Sequence, residues 1–229
     1  MKTFSLPAGL QLRHKNSHDI EDPLLVETLS GVLGNVTSFL DVGAHFSYHH
    51  YASMVRKTLG SERVYLASDF LPCPQTKKLV DEYVVGDFTL QNLKADFVAS
   101  ISVLEHCGVN SHYDPSLVEK NRAGKEVLYS TFQHLLRSSL RYFFVTFPVG
   151  LKGGHPGEYA NIDRNTFDVM GSVMGQEGFH TEALGFFYNA FSQRGNPWTC
   201  ISRADAFTIP YDPQVDVQAI AVWFGARGV

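Results

Sequence analysis

Short apolar runs alternate along this chain with longer stretches whose apolar residues recur every three or four positions. Residues 38–42, 64–67, 83–85, 97–102 and 141–147 read as strands. Helical spacing joins Leu24, Leu25, Leu29, Val32 and Leu33, and again Val127, Leu128, Phe132, Leu135 and Leu136. The first of these helices is expected to open at Pro23, since proline suits a first turn, and to stop at Gly34-Asn35. The second is a crossover helix over residues 121–138. A further helix runs from Ser47 or Tyr48 to Leu59, and another from a cap at Asp163 or Asn165 to about Gln176. Gly60 and Gly178 close them. Pro72 and Pro74 argue against regular structure directly after the second strand, with a short helical piece over 76–83. Two more strands fall near 181–188 and 217–224. The stretch 219–224 is almost continuously apolar, as a strand covered on both faces must be.

Strand and helix alternate five times, which right-handed crossovers build most simply into one doubly wound, Rossmann-like α/β sheet of seven strands. A chain of 229 residues with 44% hydrophobic and 18% charged residues suits a single domain over 1–229. Within it, residues 1–35 are read as an N-terminal cap, arm or lid, and 189–216 as a substrate-side insertion. The net charge of −4 and the lack of a basic run argue against nucleic acid as the main partner. Cys73, Cys107 and Cys200 form no C-x-x-C pair, which suits a reducing, cytoplasmic setting. No apolar stretch is long enough for a membrane span.

The chemistry gathers where strands end. Asp41-Val42-Gly43 closes the first strand, Asp69 the second, Gly86-Asp87 the third, and Ser102-Val-Leu-Glu-His106 follows the fourth. In a parallel sheet these ends share one edge, where small polar ligands bind. Gly43 lets the backbone approach a ligand, and adjacent amides can hold an anion at the next helix start. Asp69 is placed to accept both hydroxyls of a ribose, and Asp87 to meet an adenine amino group. Glu105 and His106 face the position of a reacting group. Gly43 is followed by Ala44-His45-Phe46-Ser47, so there is no G-x-G-x-x-G, and no P-loop occurs anywhere. A nucleoside cofactor without a pyrophosphate fits this edge better than NAD.

These residues resemble the class I S-adenosylmethionine-dependent methyltransferases over about residues 36–150. The resemblance implies S-adenosyl-L-methionine as cofactor, held through Asp41, Gly43, His45, Asp69, Asp87 and Ser102. It also implies an antiparallel last strand. His45 and Ser47 stand where the family usually has a second and third turn glycine, so His45 is expected at the cofactor carboxylate. Asp114-Pro115, after the Glu105-His106 segment, resembles small members of sugar and cell-surface polysaccharide pathways. O-methylation of a sugar or another small hydroxylated acceptor is therefore the expected reaction.

A hydroxyl acceptor needs a base, and histidine suits that role near neutral pH. His155, in the loop after the fifth strand, stands slightly ahead of His106. Glu105 and Asp114 are acidic alternatives, and His49 or His50 begins the first crossover helix. No metal is expected, since no H-x-x-x-H or H-E-x-x-H frame is present, although His106, His112, Asp114 and His155 could gather. Phe186, Phe187, Tyr188, Trp198 and Phe207 offer faces for a sugar ring or anchors for the late strands. Two rival readings remain. One is a non-catalytic cofactor-binding protein; the other is a different nucleotide-dependent enzyme, glycosyltransferase-like or reductase-like. The expected partner is a small molecule or glycan, with oligomeric state open.

Overall fold

A computed structural model describes residues 1–6, 17–44, 49–108, 125–153, 160–189, 198–212 and 218–228. In chain order its elements are β1 (Lys2–Thr3), α1 (His18–Val32), β2 (Ser38–Val42), α2 (His49–Leu59), β3 (Val64–Asp69), α3 (Pro74–Lys77), β4 (Glu82–Val85), β5 (Ala95–Ile101), α4 (Lys125–Ser138), β6 (Ser139–Pro148), α5 (Arg164–Gln176), β7 (Phe179–Tyr188), β8 (Thr199–Cys200), α6 (Arg203–Ala206) and β9 (Ala219–Arg227). One sheet of nine strands runs in the order β1-β7-β9-β6-β5-β2-β3-β4, with β8 paired to β7. Strands β4, β3, β2, β5 and β6 are mutually parallel. The last strand, β9, is antiparallel to both β6 and β7. A Rossmann-like, mostly parallel sheet with an antiparallel last strand is thus the architecture.

All seven residues of β5 are buried, as expected of a central strand covered on both faces. One face packs Phe39, Tyr65, Phe97 and Phe144 against Ile20, Leu24, Leu25 and Leu29 of α1 and Tyr51, Ala52 and Val55 of α2. The other packs Leu40, Val98, Phe143 and Trp223 against Leu128, Phe132 and Leu135 of α4 and Phe167 and Met170 of α5. Burial of two such layers is the main stabilising term.

Several boundaries differ from the sequence reading. The sheet has nine strands rather than seven, because β1 and β8 add two residues each along β7. Their side chains are exposed, so only backbone pairing creates them and no apolar pattern could reveal them. Helix α1 opens at His18, and Pro23 lies inside it. The polar sequence His18-Asp19-Ile20-Glu21-Asp22 hides that first turn, although Ile20 and Glu21 are fully buried. Pro74 does not exclude structure; it opens α3 at a first-turn position, where a missing N–H costs nothing. Asp163 caps α5, accepting from the Thr166 N–H at 2.8 Å. Gly178 ends that segment at φ +79°, a left-handed conformation in which glycine is least strained.

Candidate functional site

The strand order reverses between β2 and β5, and the C-terminal ends of these strands form the switch point at which α/β sheets bind ligands. Gly43 turns there with φ +87°, and its N–H donates to the Ser68 carbonyl at 2.8 Å. A Cβ on residue 43 would lie 2.1 Å from Val103 Cγ2, so only glycine lets the turn pass the segment after β5.

Asp41 is buried rather than facing outward. Its register beside β3 sends the side chain to the α2 face, where the Tyr65 hydroxyl donates to Oδ2 at 3.2 Å. Burial, then the Asp41 charge, holds the phenols of Tyr65 and Tyr51 well above the usual tyrosine range. Asp69 ends β3 half-buried, and its Oδ1 accepts from the Leu71 N–H at 2.9 Å. Asp87 follows β4 and caps the turn Phe88–Leu90, accepting from Thr89 N at 2.8 Å and Thr89 Oγ1 at 2.7 Å. Asp69 and Asp87 therefore stand at adjacent strand ends, as the sequence implied.

Beyond β5 the backbone is strained. Ser102 has φ +50°, unusual for a non-glycine residue and typical of functional turns. Its N–H is 3.1 Å from both the carbonyl and Oγ1 of Thr146 on β6. Its hydroxyl donates to Glu21 Oε1 at 2.8 Å, and Thr146 Oγ1 donates to the same oxygen at 2.6 Å. Glu21, on α1, thus joins the ends of β5 and β6. The other oxygen of Glu21 stands 3.5 Å from His18 Nδ1, and Asp22 Oδ1 stands 3.3 Å from that nitrogen. Burial alone would lower the His18 pKa. The Asp22 hydrogen bond and the charges of Glu21, Asp22 and Glu105 outweigh it and raise the value to about 9.

Glu105 lies in the turn Leu104–His106 and is 4% exposed. Burial, reinforced by the Glu21 charge, lifts its carboxyl well above the usual carboxylate range. His106 is half-buried at the end of the same turn. His45 and His155 lie outside the described residues, as do His112 and Asp114, and the side chains of His49 and His50 are likewise outside. The segment carrying His155 is bracketed by described contacts. Asn161 N donates to Gly153 O at 2.8 Å, and Ala160 N donates to Glu105 O at 3.0 Å. Ala160 is therefore tied to the turn that carries Glu105.

The sequence reading missed His18, Glu21 and Thr146. Their only signal was an acidic pair before Pro23, because a contact spanning 125 positions leaves no local pattern. The late aromatics are core rather than stacking platforms. Phe186, Phe187, Trp198 and Phe207 are all buried, and Phe207 packs on Phe167 and Phe186. Tyr188 alone of the five is partly exposed. The cysteines are free thiols. Among the described residues no group of three or more His, Cys, Asp or Glu is placed to hold a metal, and no helix is long and apolar enough to cross a membrane.

Sheet order, antiparallel last strand and the glycine turn at the switch point together define the class I S-adenosylmethionine-dependent methyltransferase fold. Solved structures agree. Magnesium protoporphyrin IX methyltransferase from Synechocystis PCC 6803, with bound S-adenosylmethionine, superposes with TM-score 0.53 at 12% identity, over 98% of this chain and 86% of that one. The same enzyme with S-adenosylhomocysteine gives 0.52 at 12%, over 94% and 89%. CalS10, an amino pentose methyltransferase from Micromonospora echinaspora, gives 0.50 at 9%, over the full length of both chains. No protein-family model matches this chain, and no curated protein matches it by sequence.

Proposed function

We propose that this chain is an S-adenosylmethionine-dependent methyltransferase acting on a small hydroxylated acceptor such as a sugar. The observation that carries the reading is the switch point itself. There the left-handed Gly43 turn, closed against Val103, lies beside carboxylates at the ends of β3 and β4. These residues fit the cofactor. Backbone at Gly43 would receive its amino-acid end, with His45 next to it. Asp69 would accept from the ribose hydroxyls and Asp87 would lie at the adenine. Asp41 is buried at the end of β2, where the Tyr65 hydroxyl donates to it. Ser102 fixes the wall between cofactor and acceptor. A sugar acceptor is in keeping with the amino pentose methyltransferase among the proteins that share the fold.

The bound cofactor supplies an electrophilic methyl group on a sulfonium. The protein's part is to align the acceptor oxygen in line with that carbon and to take the hydroxyl proton. The hydroxyl proton would pass to a histidine, either His106 at the end of the turn after β5 or His155, which lies outside the described residues. The test follows S-adenosylhomocysteine release with S-adenosylmethionine and a panel of sugars. Acceptor-dependent release is expected, and alanine at the base should lower turnover by about 10²–10⁴ with cofactor affinity retained. Cofactor binding without turnover on any acceptor would leave a binding protein instead.

A further inference from the structure

Glu105 is the group at this edge whose chemistry methyl transfer to a hydroxyl leaves unused. Its carboxyl is buried and Oε2 has no hydrogen-bond partner. Glu21 Oε2 also makes no hydrogen bond, and His18 Nδ1 stands 3.5 Å from it. Among the described residues no ion pair includes Glu105, and the basic group that acts on it is His18, through its charge alone. A buried carboxyl oxygen left unbonded costs about 1–3 kcal/mol, and an apolar side chain would fill the place at less cost. The sequence nevertheless puts two such oxygens, from α1 and from the turn after β5, at one end of the sheet.

We propose that Glu105, with Glu21 beside it, receives the protonated amine of the acceptor. The proposal rests on the methyltransferase reading and narrows its acceptor to a hydroxylated compound that also carries a cationic nitrogen. An ammonium has three donors and a compact charge, which suits two carboxyl oxygens approached from different elements. The position favours the acceptor over the methyl donor. Glu21 is bonded to Thr146 of β6, and the Glu105 carbonyl accepts from Ala160, which follows β6 in the chain. Asp69 and Asp87, by contrast, lie on the far side of β2. Both glutamates are closed off from solvent. Burial and the Glu21 charge favour the protonated form of the Glu105 carboxyl before the amine arrives. Capture of a cation then restores the carboxylate and releases a proton.

The probe is methylammonium chloride, with potassium chloride as the matched salt. The readout is the carboxyl-carbon NMR signal of Glu105 in the full-length, glutamate-labelled chain, assigned through E105Q. A saturable shift is expected with methylammonium and not with potassium, and it should persist under saturating S-adenosylhomocysteine. E21Q, which leaves the Glu105 signal in place, should weaken the shift about tenfold, the worth of one charged hydrogen bond. In a folded E105Q protein the rise in thermal midpoint with methylammonium should disappear. Equal response to potassium, or an E21Q protein that titrates like the parent, overturns the site. Displacement of methylammonium by S-adenosylhomocysteine overturns the acceptor assignment, since the nitrogen would then be the cofactor's own. Methylammonium binding in a protein that fails to bind S-adenosylhomocysteine upholds the cation site and removes the methyltransferase reading instead.

Discussion

The two halves of the sheet edge are built differently. On the β2–β3–β4 side, each strand carries its own acid at or just past its C-terminal end, and the acids after β3 and β4 each accept from the turn that follows. Asp69 bonds Leu71 and Asp87 bonds Thr89, two residues away in each case. On the β5–β6 side, one carboxylate from the N-terminal helix ties two strand ends together, and a second is buried with one oxygen unbonded. The first side is a rigid set of backbone turns with polar tips. The second is a charged cluster whose members depend on one another, so its energetics follow pH while those of the first follow backbone geometry.

The sharpest way to break this contrast is Gly43→Ala. The left-handed φ and the clash with Val103 Cγ2 act together, and the expected loss is about 3 kcal/mol or more by urea unfolding. The double variant Gly43→Ala/Val103→Ala should recover the steric part alone. Full recovery would mean that φ is not a constraint here.

Next comes Glu105→Gln. A carboxyl held above its ordinary 4.5 in the folded chain binds its proton more tightly there than when unfolded. Parent stability should therefore fall as pH rises above about 4.5, while the glutamine variant is spared. The gap between them should widen by up to about 1.4 kcal/mol per pH unit until Glu105 ionises. Parallel stability–pH curves would contradict a buried neutral acid.

The smallest expected effect belongs to His18. Its pKa is raised from 6.5 to about 9, so its contribution is fully present below pH 6.5 and is lost as pH climbs through 9. The full shift corresponds to about 3 kcal/mol, which solvent screening of the quarter-exposed ring reduces to about 2, and His18→Gln should flatten the curve in that window. An unchanged slope would mean that the ion pairs of α1 do not hold it to the edge.

The same contrast explains what could be read from the sequence. Strands β2, β3 and β5 announced themselves as apolar runs, and Asp41, Gly43 and Asp69 sat at their ends in plain view. Periodicity also revealed α4 and α5, because their buried faces repeat every three or four residues. Two kinds of feature stayed hidden. Direction was one: Asp41 is buried and accepts from the Tyr65 hydroxyl, a contact that its place at a strand end does not announce. Distance along the chain was the other. Glu21 meets Thr146 and Ser102 only because α1 folds over the sheet edge, and its first turn is too polar to signal burial. For the late aromatics the sequence left sugar faces and core anchors both open, and Phe186 and Phe207 pack tilted against Phe167 within the core.

The central claim is that this edge holds S-adenosylmethionine, with Asp69 on the ribose. Its most direct test is calorimetric titration of the parent chain and of Asp69→Ala with S-adenosylhomocysteine. The account predicts saturable one-site binding to the parent and a loss of about 1.5–3 kcal/mol in the variant, the worth of a hydrogen bond to a charged group. A parent chain that does not bind, or a folded Asp69→Ala protein of unchanged affinity, would contradict it.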